Sequence, residues 1–312
     1  MSLRSRAHRQ GNPTTPQPDT SNVSAVYVLA NPEARKGRGA LRYRKVLATL
    51  TANGATYTEL DATTIDCARS SLRDVVALGG ARVVLVGGDG LVHLALQELA
   101  MTDTEIGIIP AGTGNDFAHA LGLDAGALGE QVLRALGPSR PLDAIRTTHG
   151  WVASVATLGF AAAVNKRANA LSWPRGGSRY TVATVVVLPS LRSTTLDLEL
   201  DHETIRVTTT LLAIANTPFF GGGMAICPEA RADDGLLHVA VIGDVGRFAL
   251  LRVFPRVFRG THITHPRCTM YRARRVCVLD TTTEVWGDGE FIGAAPIELE
   301  AIPAAFRVAG VP

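Results

Sequence analysis

The sequence predicts two folded domains, an α/β domain followed by a domain built mainly of antiparallel strands. From Val23 to about Arg140, short runs of β-branched residues alternate with longer helical stretches, which is typical of a parallel sheet covered by helices. Beyond Arg140, runs rich in Thr and Val follow one another with few helical stretches between them. That second pattern is typical of antiparallel sheets, so we expect a β-rich second domain.

The composition supports a folded chain with two cores. Of the 312 residues, 46% are hydrophobic and 19% are charged, which excludes a disordered or fibrous protein. The formal net charge of +3 gives no reason to expect nucleic acid as a partner. The four cysteines lie far apart without CxxC spacing, so we expect neither a disulfide scaffold nor a zinc site.

The first segment, residues 1–22, is polar and rich in Pro, Ser and Thr, so we expect a disordered tail. Its lack of an apolar run argues against a secretory signal and for a cytoplasmic protein. The longest apolar stretch, 181–188 with its flanks, is about half as long as a membrane-spanning helix needs to be. We expect the first domain over 23–141 with a return of about 300–312, and the second over 142–299.

Individual elements follow from the same patterns. In the first domain the predicted strands are 23–29, 55–60, 82–86 and 106–109, and the predicted helices are 38–51, 66–78 and 91–101. In the second domain the predicted strands are 195–200, 205–215, 236–242 and 275–279, and the predicted helices are 161–171 and 247–259.

The predicted helix 247–259 places four apolar residues, Phe248, Leu251, Phe254 and Phe258, among arginines. Such a helix could lie on a membrane surface, or its apolar face could pack on the sheet. Amphipathic helices usually face a core and Pro255 interrupts this one, so we expect the packed arrangement.

A glycine-rich turn after the strand 82–86 is the first candidate site. Ligands of open α/β sheets bind at the carboxyl ends of the strands, and here Gly87, Gly88 and Gly90 surround Asp89. Glycines let backbone N–H groups approach phosphate, whereas a carboxylate repels phosphate unless a cation lies between them. The turn therefore indicates a nucleoside triphosphate with Mg²⁺, although a glycine turn with Asp as helix cap explains it equally well.

A second glycine turn follows the next strand. Here Thr113 could bond a phosphate, and Asn115 or Asp116 could hold the acceptor end of the site or cap the helix after them. For Asp116 we expect the cap. The loop 31–40 offers an Asn-Pro turn, basic side chains and glycines, but it matches neither the Walker A nor the GxGxxG pattern. The absence of both patterns argues against a P-loop kinase and against a dinucleotide-binding oxidoreductase.

Two acidic motifs lie in the β-rich half. Asp233, Asp234 and Gly235 could bind Mg²⁺, but the residues alone favour an ordinary turn before a strand. Asp288 and Glu290 flank a glycine between two strand-like runs. Asp-Gly is a strong hairpin signal, and either carboxylate could instead accept a hydroxyl proton as general base. The spacing does not separate these interpretations.

Taken in order, these segments resemble the catalytic domain of the diacylglycerol kinase family, in particular its bacterial soluble lipid kinases, which are related to sphingosine kinases. The resemblance spans about 23–308 and rests on NPEARKGRGA at 31, VGGDG at 86, IGIIPAGTGNDFAHALGL at 106, LGF at 158, GGGMAICPEARADDGLL at 221 and WGDGE at 286. It implies an N-terminal domain like that of NAD kinases and phosphofructokinase, a C-terminal β-sandwich, and an ATP site between them. The implied reaction moves the γ-phosphoryl group of ATP to a hydroxyl of diacylglycerol or a related lipid at a membrane surface.

The resemblance also implies roles for individual residues. The nucleotide-binding positions would be Asn31, Pro32, Glu33, Ala34, Arg35, Thr63, Gly88, Asp89, Gly90, Leu91, Val92, His93, Leu94, Gly112, Thr113, Asn115 and Asp116. Asp89 would help to organise a catalytic Mg²⁺, and Asp288 and Glu290 match the family's DGE motif, one of which is expected to be the general base. A structural Mg²⁺ would be held by the carboxylate of Asp234 and the main-chain oxygens of Arg231 and Leu236.

The chain departs from the family pattern at Arg35, Leu91 and Leu94, where Gly, Thr and Glu are usual. The missing threonine hydroxyl removes one contact worth about 0.5 to 1.5 kcal/mol. Two alternatives therefore stay open: a degenerate homologue that binds nucleotide or lipid without turnover, and an NAD kinase-like enzyme. Exposed strand edges would also allow a homodimer.

Candidates for an acyl-chain pocket are scattered through the second domain. They are Ala161, Val164, Tyr180, Val185, Leu188, Phe219 and Phe220. Packing in the core explains each of them equally well.

Overall fold

The computed structural model describes residues 25–30, 37–171, 173, 177–279 and 283–312. The chain forms two halves that share one continuous sheet of fifteen strands. The first half is an α/β layer arrangement and the second is mainly antiparallel.

The first half alternates strands and helices as predicted. Its elements are β1 Val26–Ala30, α1 Gly37–Ala52, β2 Tyr57–Glu59, α2 Ile65–Leu78, β3 Arg82–Gly87, α3 Asp89–Leu99, β4 Glu105–Pro110, α4 Asp116–Ala120 and α5 Leu128–Leu136. The strands pair in parallel in the order β2-β1-β3-β4. Helix α5 was not predicted, because Gly129 in its first turn lowers the helix propensity of a short segment.

Helix α2 shows how the sequence produces these elements. The Thr64 side chain accepts a hydrogen bond from the Cys67 N–H and caps the helix start. Ala68, Leu72 and Val75 recur at helical spacing, and all three are buried in the core beside the parallel sheet. One apolar face therefore fixes the helix on the sheet.

Within its described residues, the second half contains strands and three α-helices. Its elements are β5 Ser139–Thr147, β6 Gly150–Val152, β7 Val155–Gly159, α6 Phe160–Ala170, α7 Gly177–Val187, β8 Thr194–Leu200, β9 Glu203–Ala215, β10 Phe219–Phe220, β11 Met224–Ala225, β12 Leu237–Gly243, α8 Arg247–Val257, β13 Cys268–Ala273, β14 Arg275–Val278, β15 Glu284–Gly287, β16 Glu290–Ala294 and β17 Ile297–Ala309. The neighbours β7, β9, β8 and β14 are all antiparallel, as predicted. Leu158, Leu212, Val239 and Val285 belong to the core of this half.

Helix α7 contains most of the long apolar stretch 181–188, to which the sequence analysis assigned no element. Val and Thr favour strands in isolation. Here Ala183 is fully buried against Val164 and Ala168 of α6. Packing between the two helices therefore overrides the local preference for a strand.

Helix α8 also differs from the expected single packed face. Leu250 and Val257 pack against the protein, whereas Phe248, Leu251 and Phe258 are exposed. No residue of α8 is fully buried. The apolar residues therefore lie on two sides of the helix, and only one side packs.

Strands β5 and β17 run side by side through both halves. The first residues of β17 pair with β14, and the middle and end of β17 pair with β5. Near its end, Arg307 and Val308 also pair in parallel with β4. The chain thus leaves the first half on β5 and returns to it on β17, while the domain division at residues 141 and 142 stays a prediction.

Asp143 of β5 ties the two halves together. Its side chain is buried, with 5% of the residue exposed. One carboxylate oxygen accepts the Gly235 N–H at 2.7 Å, and the other accepts the Ala304 N–H at 3.0 Å. The turn before β12 and the irregular part of β17 are therefore fixed to β5 by one side chain.

We expect Asp143→Ala to lower the free energy of unfolding by about 2 to 4 kcal/mol, because two N–H groups lose a charged acceptor. Urea unfolding of both proteins measures the difference. Asp143→Asn keeps one acceptor and should lose less. Equal stability of Asp143→Ala and the unaltered chain would contradict this role.

Candidate active site

A cleft with a volume of about 370 Å³ lies at the carboxyl ends of β3 and β4. Its first wall is formed by the two glycine turns, which contribute Gly88, Asp89, Gly112 and Thr113. Its second wall comes from α6, α7, the loop after β10 and the turn between β15 and β16. The structure therefore brings together motifs that lie about 200 positions apart, at the sheet edge where the sequence predicts a site.

The two glycine turns touch each other. A Cβ on Gly112 would lie 2.6 Å from the Cα of Gly88, so a larger residue does not fit. Asn115, with a left-handed φ of 58°, accepts the Gly112 N–H and donates to the Gly112 carbonyl, each at 3.0 Å. Asn115 therefore shapes the turn, and it leaves Thr113 exposed at the cleft.

The expectation that Asp116 caps a helix is wrong. Its buried carboxylate accepts the N–H groups of Gly222 at 2.8 Å and Gly223 at 2.6 Å. Both glycines have positive φ, 86° and 95°, which lets their amides point at one carboxylate. Asp116 thus holds a loop of the second half against the first half, and burial raises its pKa in spite of these two bonds.

Asp89 takes the capping role instead. Its carboxylate accepts the Phe117 N–H at 3.0 Å across the two turns. Burial, and then the charge of Asp116, raise the pKa of Asp89 from 3.8 to about 6. A carboxylate held under these conditions is stabilised by any nearby cation.

The hairpin turn between β15 and β16 consists of Asp288 and Gly289, with φ values of 52° and 87°. This is the two-residue turn that Asp-Gly predicts. The Asp288 side chain is 2% exposed. Its Oδ2 accepts the Ala153 N–H at 2.8 Å, and its Oδ1 accepts the Ser154 N–H at 2.8 Å.

His93 reaches Asp288 from the first half. Its Nδ1 lies 3.0 Å from Asp288 Oδ2, so both carboxylate oxygens are occupied. Burial lowers the pKa of His93, but the hydrogen bond and charge of Asp288 outweigh burial, so the pKa is raised. The charged form of His93 therefore strengthens a contact between the two halves.

Glu290 differs from Asp288 in its surroundings. It is exposed, lines the cleft, and has no hydrogen-bond partner among the described residues. In the DGE motif, the Asp288 carboxylate is therefore buried and hydrogen-bonded at both oxygens, whereas the Glu290 carboxylate is open to a ligand.

The remaining predicted nucleotide-binding positions fall into three groups. Gly90 and Leu91 line the cleft, and Leu91 lies against Gly87. Val92 and Leu94 turn into the core of the first half. Thr63 is exposed after β2 and does not line the cleft, while residues 31–35 lie outside the described part of the chain. Their roles in binding nucleotide stay predictions.

The turn that carries Arg231, Asp234 and Leu236 lies before β12. One Asp234 oxygen accepts the Leu236 N–H at 3.0 Å, and the other lies 3.1 Å from His238 Nε2. This is the turn that the residues alone favour. The described residues contain no group of three or more metal-ligating side chains, so a Mg²⁺ here would depend on main-chain oxygens, and the site stays a prediction.

Sequence reasoning missed several residues of the second wall, among them Asn165, Asn169 and Arg179. Asn165 and Asn169 lie one turn apart on α6, and Asn169 donates to the Gly289 carbonyl at 2.7 Å. Two asparagines four positions apart in an apolar helix are a signal that would have found them.

The candidates for an acyl-chain pocket lie in different surroundings in the structure. Tyr180, Phe219 and Phe220 line the cleft. Ala161 and Val164 are buried in α6, Leu188 packs against the same cluster as Val164, and Val185 is exposed.

The charges of the cleft fit a cation together with phosphate. Its described lining includes the carboxylates of Asp89, Asp116, Asp288 and Glu290, and a single cation, Arg179. Phosphate would be repelled by this set unless a hard cation lay between them, and carboxylate oxygens are the ligands that Mg²⁺ prefers. The glycine turns let backbone N–H groups approach phosphate closely, and the acidic side chains can face a cation. Together they suit a nucleoside triphosphate with Mg²⁺.

Comparisons with known proteins cover both halves of the chain. Residues 25–147 match the family model "Diacylglycerol kinase catalytic domain", and residues 153–310 match "YegS C-terminal NAD kinase beta sandwich-like domain". A diacylglycerol kinase from Mycobacterium tuberculosis is 37% identical over 293 residues, which cover 92% of this chain and 95% of the relative. One from Bacillus subtilis is 28% identical over 69% of this chain and 73% of the relative.

Solved structures show the same fold. A crystal structure of a diacylglycerol kinase from Bacillus anthracis superposes with a TM-score of 0.71 and 18% identity, covering 92% of this chain and 96% of that one. Together with the family models, it confirms the predicted fold class of an α/β domain and a β-sandwich domain. Within the described residues, no helix is long and apolar enough to span a membrane.

The raised pKa of Asp89 predicts a pH dependence of stability. Between about pH 4 and pH 6 the folded chain keeps a proton that the unfolded chain has released, so stability falls as pH rises through this window. Asp89→Asn keeps an acceptor for Phe117 but cannot ionise. We expect this variant to gain about 2 to 3 kcal/mol over the unaltered chain between pH 4 and pH 7.

Denaturant unfolding at a series of pH values measures this gain. Asp74→Asn, at an exposed position on α2, should follow the unaltered chain throughout. A constant difference between Asp89→Asn and the unaltered chain at every pH would be inconsistent with a raised pKa of Asp89.

Proposed function

The chain belongs to the diacylglycerol kinase family of lipid kinases, and we propose that it transfers the γ-phosphoryl group of ATP to a hydroxyl of diacylglycerol or a related lipid. One observation carries the proposal. The glycine turns at Gly88 and Gly112 face the cleft from one wall. The carboxylate of Glu290, which has no partner among the described residues, faces it from the other. A phosphate cradle and a proton acceptor thus lie on either side of one cavity.

The first wall suits the phosphates of ATP. The touching turns place small residues where the phosphates would lie, and helix α3 begins there with its positive N-terminus. Thr113 is exposed on this wall and can donate a hydrogen bond. Asp89 would hold the catalytic Mg²⁺, which supplies positive charge between the phosphates and the carboxylates.

Glu290 is the general base in this proposal. It takes the proton of the lipid hydroxyl while the hydroxyl oxygen forms a bond to the γ-phosphorus and the bond from that phosphorus to ADP breaks. Asp288 cannot share this role, because both its oxygens accept hydrogen bonds from Ala153, Ser154 and His93. Asp288 is a positioning residue that fixes the turn and so aims Glu290.

The second wall suits a lipid headgroup. Phe219, Phe220 and Tyr180 offer apolar surface beside Glu290. Burial, and then the charges of Asp116 and Asp89, raise the pKa of Tyr180 to about 12, so its hydroxyl remains a hydrogen-bond donor. The lipid would be met at a membrane surface on which the protein is transiently bound.

Leu91 favours a second candidate function, a homologue that binds nucleotide without turnover. Its side chain is nearly buried against Gly87, where the family usually carries a threonine hydroxyl. Loss of a hydroxyl that acts only in the transition state would slow the reaction more than it weakens binding.

We expect Glu290→Gln to lower kcat by about 10²- to 10⁴-fold with little change in the KM for ATP, because it removes the proton acceptor but keeps the side-chain volume. The measurement is transfer of radiolabelled γ-phosphate with Mg²⁺ to mixed micelles of diacylglycerol, monoacylglycerol, ceramide, sphingosine or phosphatidylglycerol. Glu203→Gln, exposed at the start of β9, is the matched control and should behave as the unaltered chain.

Full activity of Glu290→Gln would exclude Glu290 as the base. If the unaltered chain binds ATP in calorimetry but labels no lipid, the nucleotide-binding homologue takes precedence. Labelling of NAD in a parallel reaction would favour the NAD kinase-like alternative instead.

A further inference from the structure

The net charge of +3 conceals an uneven distribution of charge along the chain. Segments 144–196 and 245–279 contain no Asp or Glu, while the first has six Lys and Arg and the second has eight. These segments include α6, α7 and α8. Because no acidic residue lies within these segments, their cations favour a positive field that attracts anions.

Some of these cations form ion pairs in the fold, whereas the described residues offer no ion pair to the arginines of α8 and its C-terminal end. Arg146, Lys166, Arg272 and Arg275 form ion pairs with carboxylates from other segments. The arginines at 247, 252, 256 and 259 are exposed, and none of them forms an ion pair within the described part of the chain. Positive charge is therefore concentrated around one helix.

The same helix presents apolar side chains to water. Phe248 is 83% exposed. Leu251 follows it by three residues and Phe258 follows Leu251 by seven, so the three lie on one side of the helix. Arg252 and Arg259 flank that side. Because Leu250 and Val257 already fix the opposite side to the protein, the exposed aromatic side is not needed for packing.

This exposed side is connected to the cleft through α7. Leu250 packs against the same buried cluster as Tyr180, Val187 and Leu188. Arg247 donates to the Pro189 carbonyl at 2.5 Å. Tyr180 lines the cleft at one end of α7, while Val185 and Val186 near its other end are exposed. A ligand surface on α8 would therefore lie next to the wall proposed to take the lipid.

We propose that α8, with the exposed end of α7, docks on a bilayer that contains anionic phospholipid. Phe248, Leu251 and Phe258 enter the boundary between headgroups and acyl chains, and the flanking arginines contact lipid phosphates. Exposed aromatic and aliphatic residues beside unpaired arginines are the composition of helices that lie in a membrane interface. Vesicle docking itself is independent of catalysis, but its purpose, presenting lipid to the cleft, rests on the proposed function.

Two groups of substitutions test the docking surface in the full chain. The first is the triple variant Phe248→Ser, Leu251→Ser and Phe258→Ser, and the second is the double variant Arg252→Gln and Arg259→Gln. Binding is measured by co-sedimentation with vesicles of phosphatidylcholine, with and without phosphatidylglycerol. We expect the unaltered chain to bind the anionic vesicles, and each variant to bind them at least about tenfold more weakly, since each arginine near an anionic surface contributes about fivefold.

Matched controls lie on the first half. The triple variant Leu41→Ser, Leu78→Ser and Leu133→Ser removes equally exposed apolar residues, and Arg44→Gln with Lys45→Gln removes two exposed cations. Both controls should bind anionic vesicles as the unaltered chain does. Thermal unfolding of every variant shows whether it folds, which we expect because all the altered side chains are exposed.

Kinase assays on two substrates separate this proposal from the proposed function. On a short-chain diacylglycerol dissolved as monomers, the serine variant of α8 should be as active as the unaltered chain, and on vesicle-embedded diacylglycerol it should lose activity together with binding. If the chain binds vesicles through α8 but phosphorylates no lipid, the result would support the docking surface and exclude the kinase reaction.

Three results would contradict the proposal that α8 docks on a membrane. One is failure of the unaltered chain to bind anionic vesicles. Another is vesicle binding and vesicle-substrate activity in the α8 variants equal to those of the unaltered chain. The third is a concentration-dependent dimer in analytical ultracentrifugation that the serine variant abolishes without any effect on vesicles, because the exposed side would then cover a second copy of the chain.

Discussion

Asp288 receives hydrogen bonds from two places outside its own hairpin, and the geometry of the cleft depends on it. Its carboxylate accepts the N–H groups of Ala153 and Ser154, just before β7, and meets His93 of α3. A buried carboxylate without such partners would be strongly unfavourable, so the chain is held where all three donors converge. Since Glu290 comes two residues later, its position relative to the glycine turns follows from this one side chain.

Asp116 plays a corresponding part on the other side of the cleft. It holds Gly222 and Gly223 of the second half, as Asp288 holds His93 of the first. Each half thus offers one buried carboxylate to donors of the other half. The cleft between them is therefore built from interactions that neither half can complete alone.

These carboxylates have an electrostatic consequence. Asp89 lies near both Asp116 and Asp288, and its pKa of about 6 records the burial and the repulsion that result. This repulsion between carboxylates lowers the stability of the unliganded protein, and a bound cation would reduce the repulsion. Sites of phosphoryl transfer commonly combine acidic residues, Mg²⁺ and phosphate in this way. The exposed side of α8 is flanked by arginines and lies on the same half as the wall that we propose to face the lipid, so its charge would complement an anionic surface.

The sequence by itself determined the features that depend on near neighbours. The alternation of strands and helices, the Asp-Gly turn at 288 and the turn at 233–235 follow from local backbone preferences, and the ordered motifs identified the family. The elements and turns were predicted correctly because each involves only a few consecutive residues, whereas the family followed from the order of six motifs along the chain.

Only the tertiary structure decided which side chains meet across the cleft. Asp116 and Gly222 are 106 positions apart, and His93 and Asp288 are 195 apart, so no local pattern reveals either pair. The same reason explains the helical state of α7 and the exposure of Phe248 on α8, since both depend on which surfaces neighbouring elements leave uncovered. Local preference sets what a segment can form, while burial and hydrogen-bond satisfaction across distant segments decide what each side chain does there.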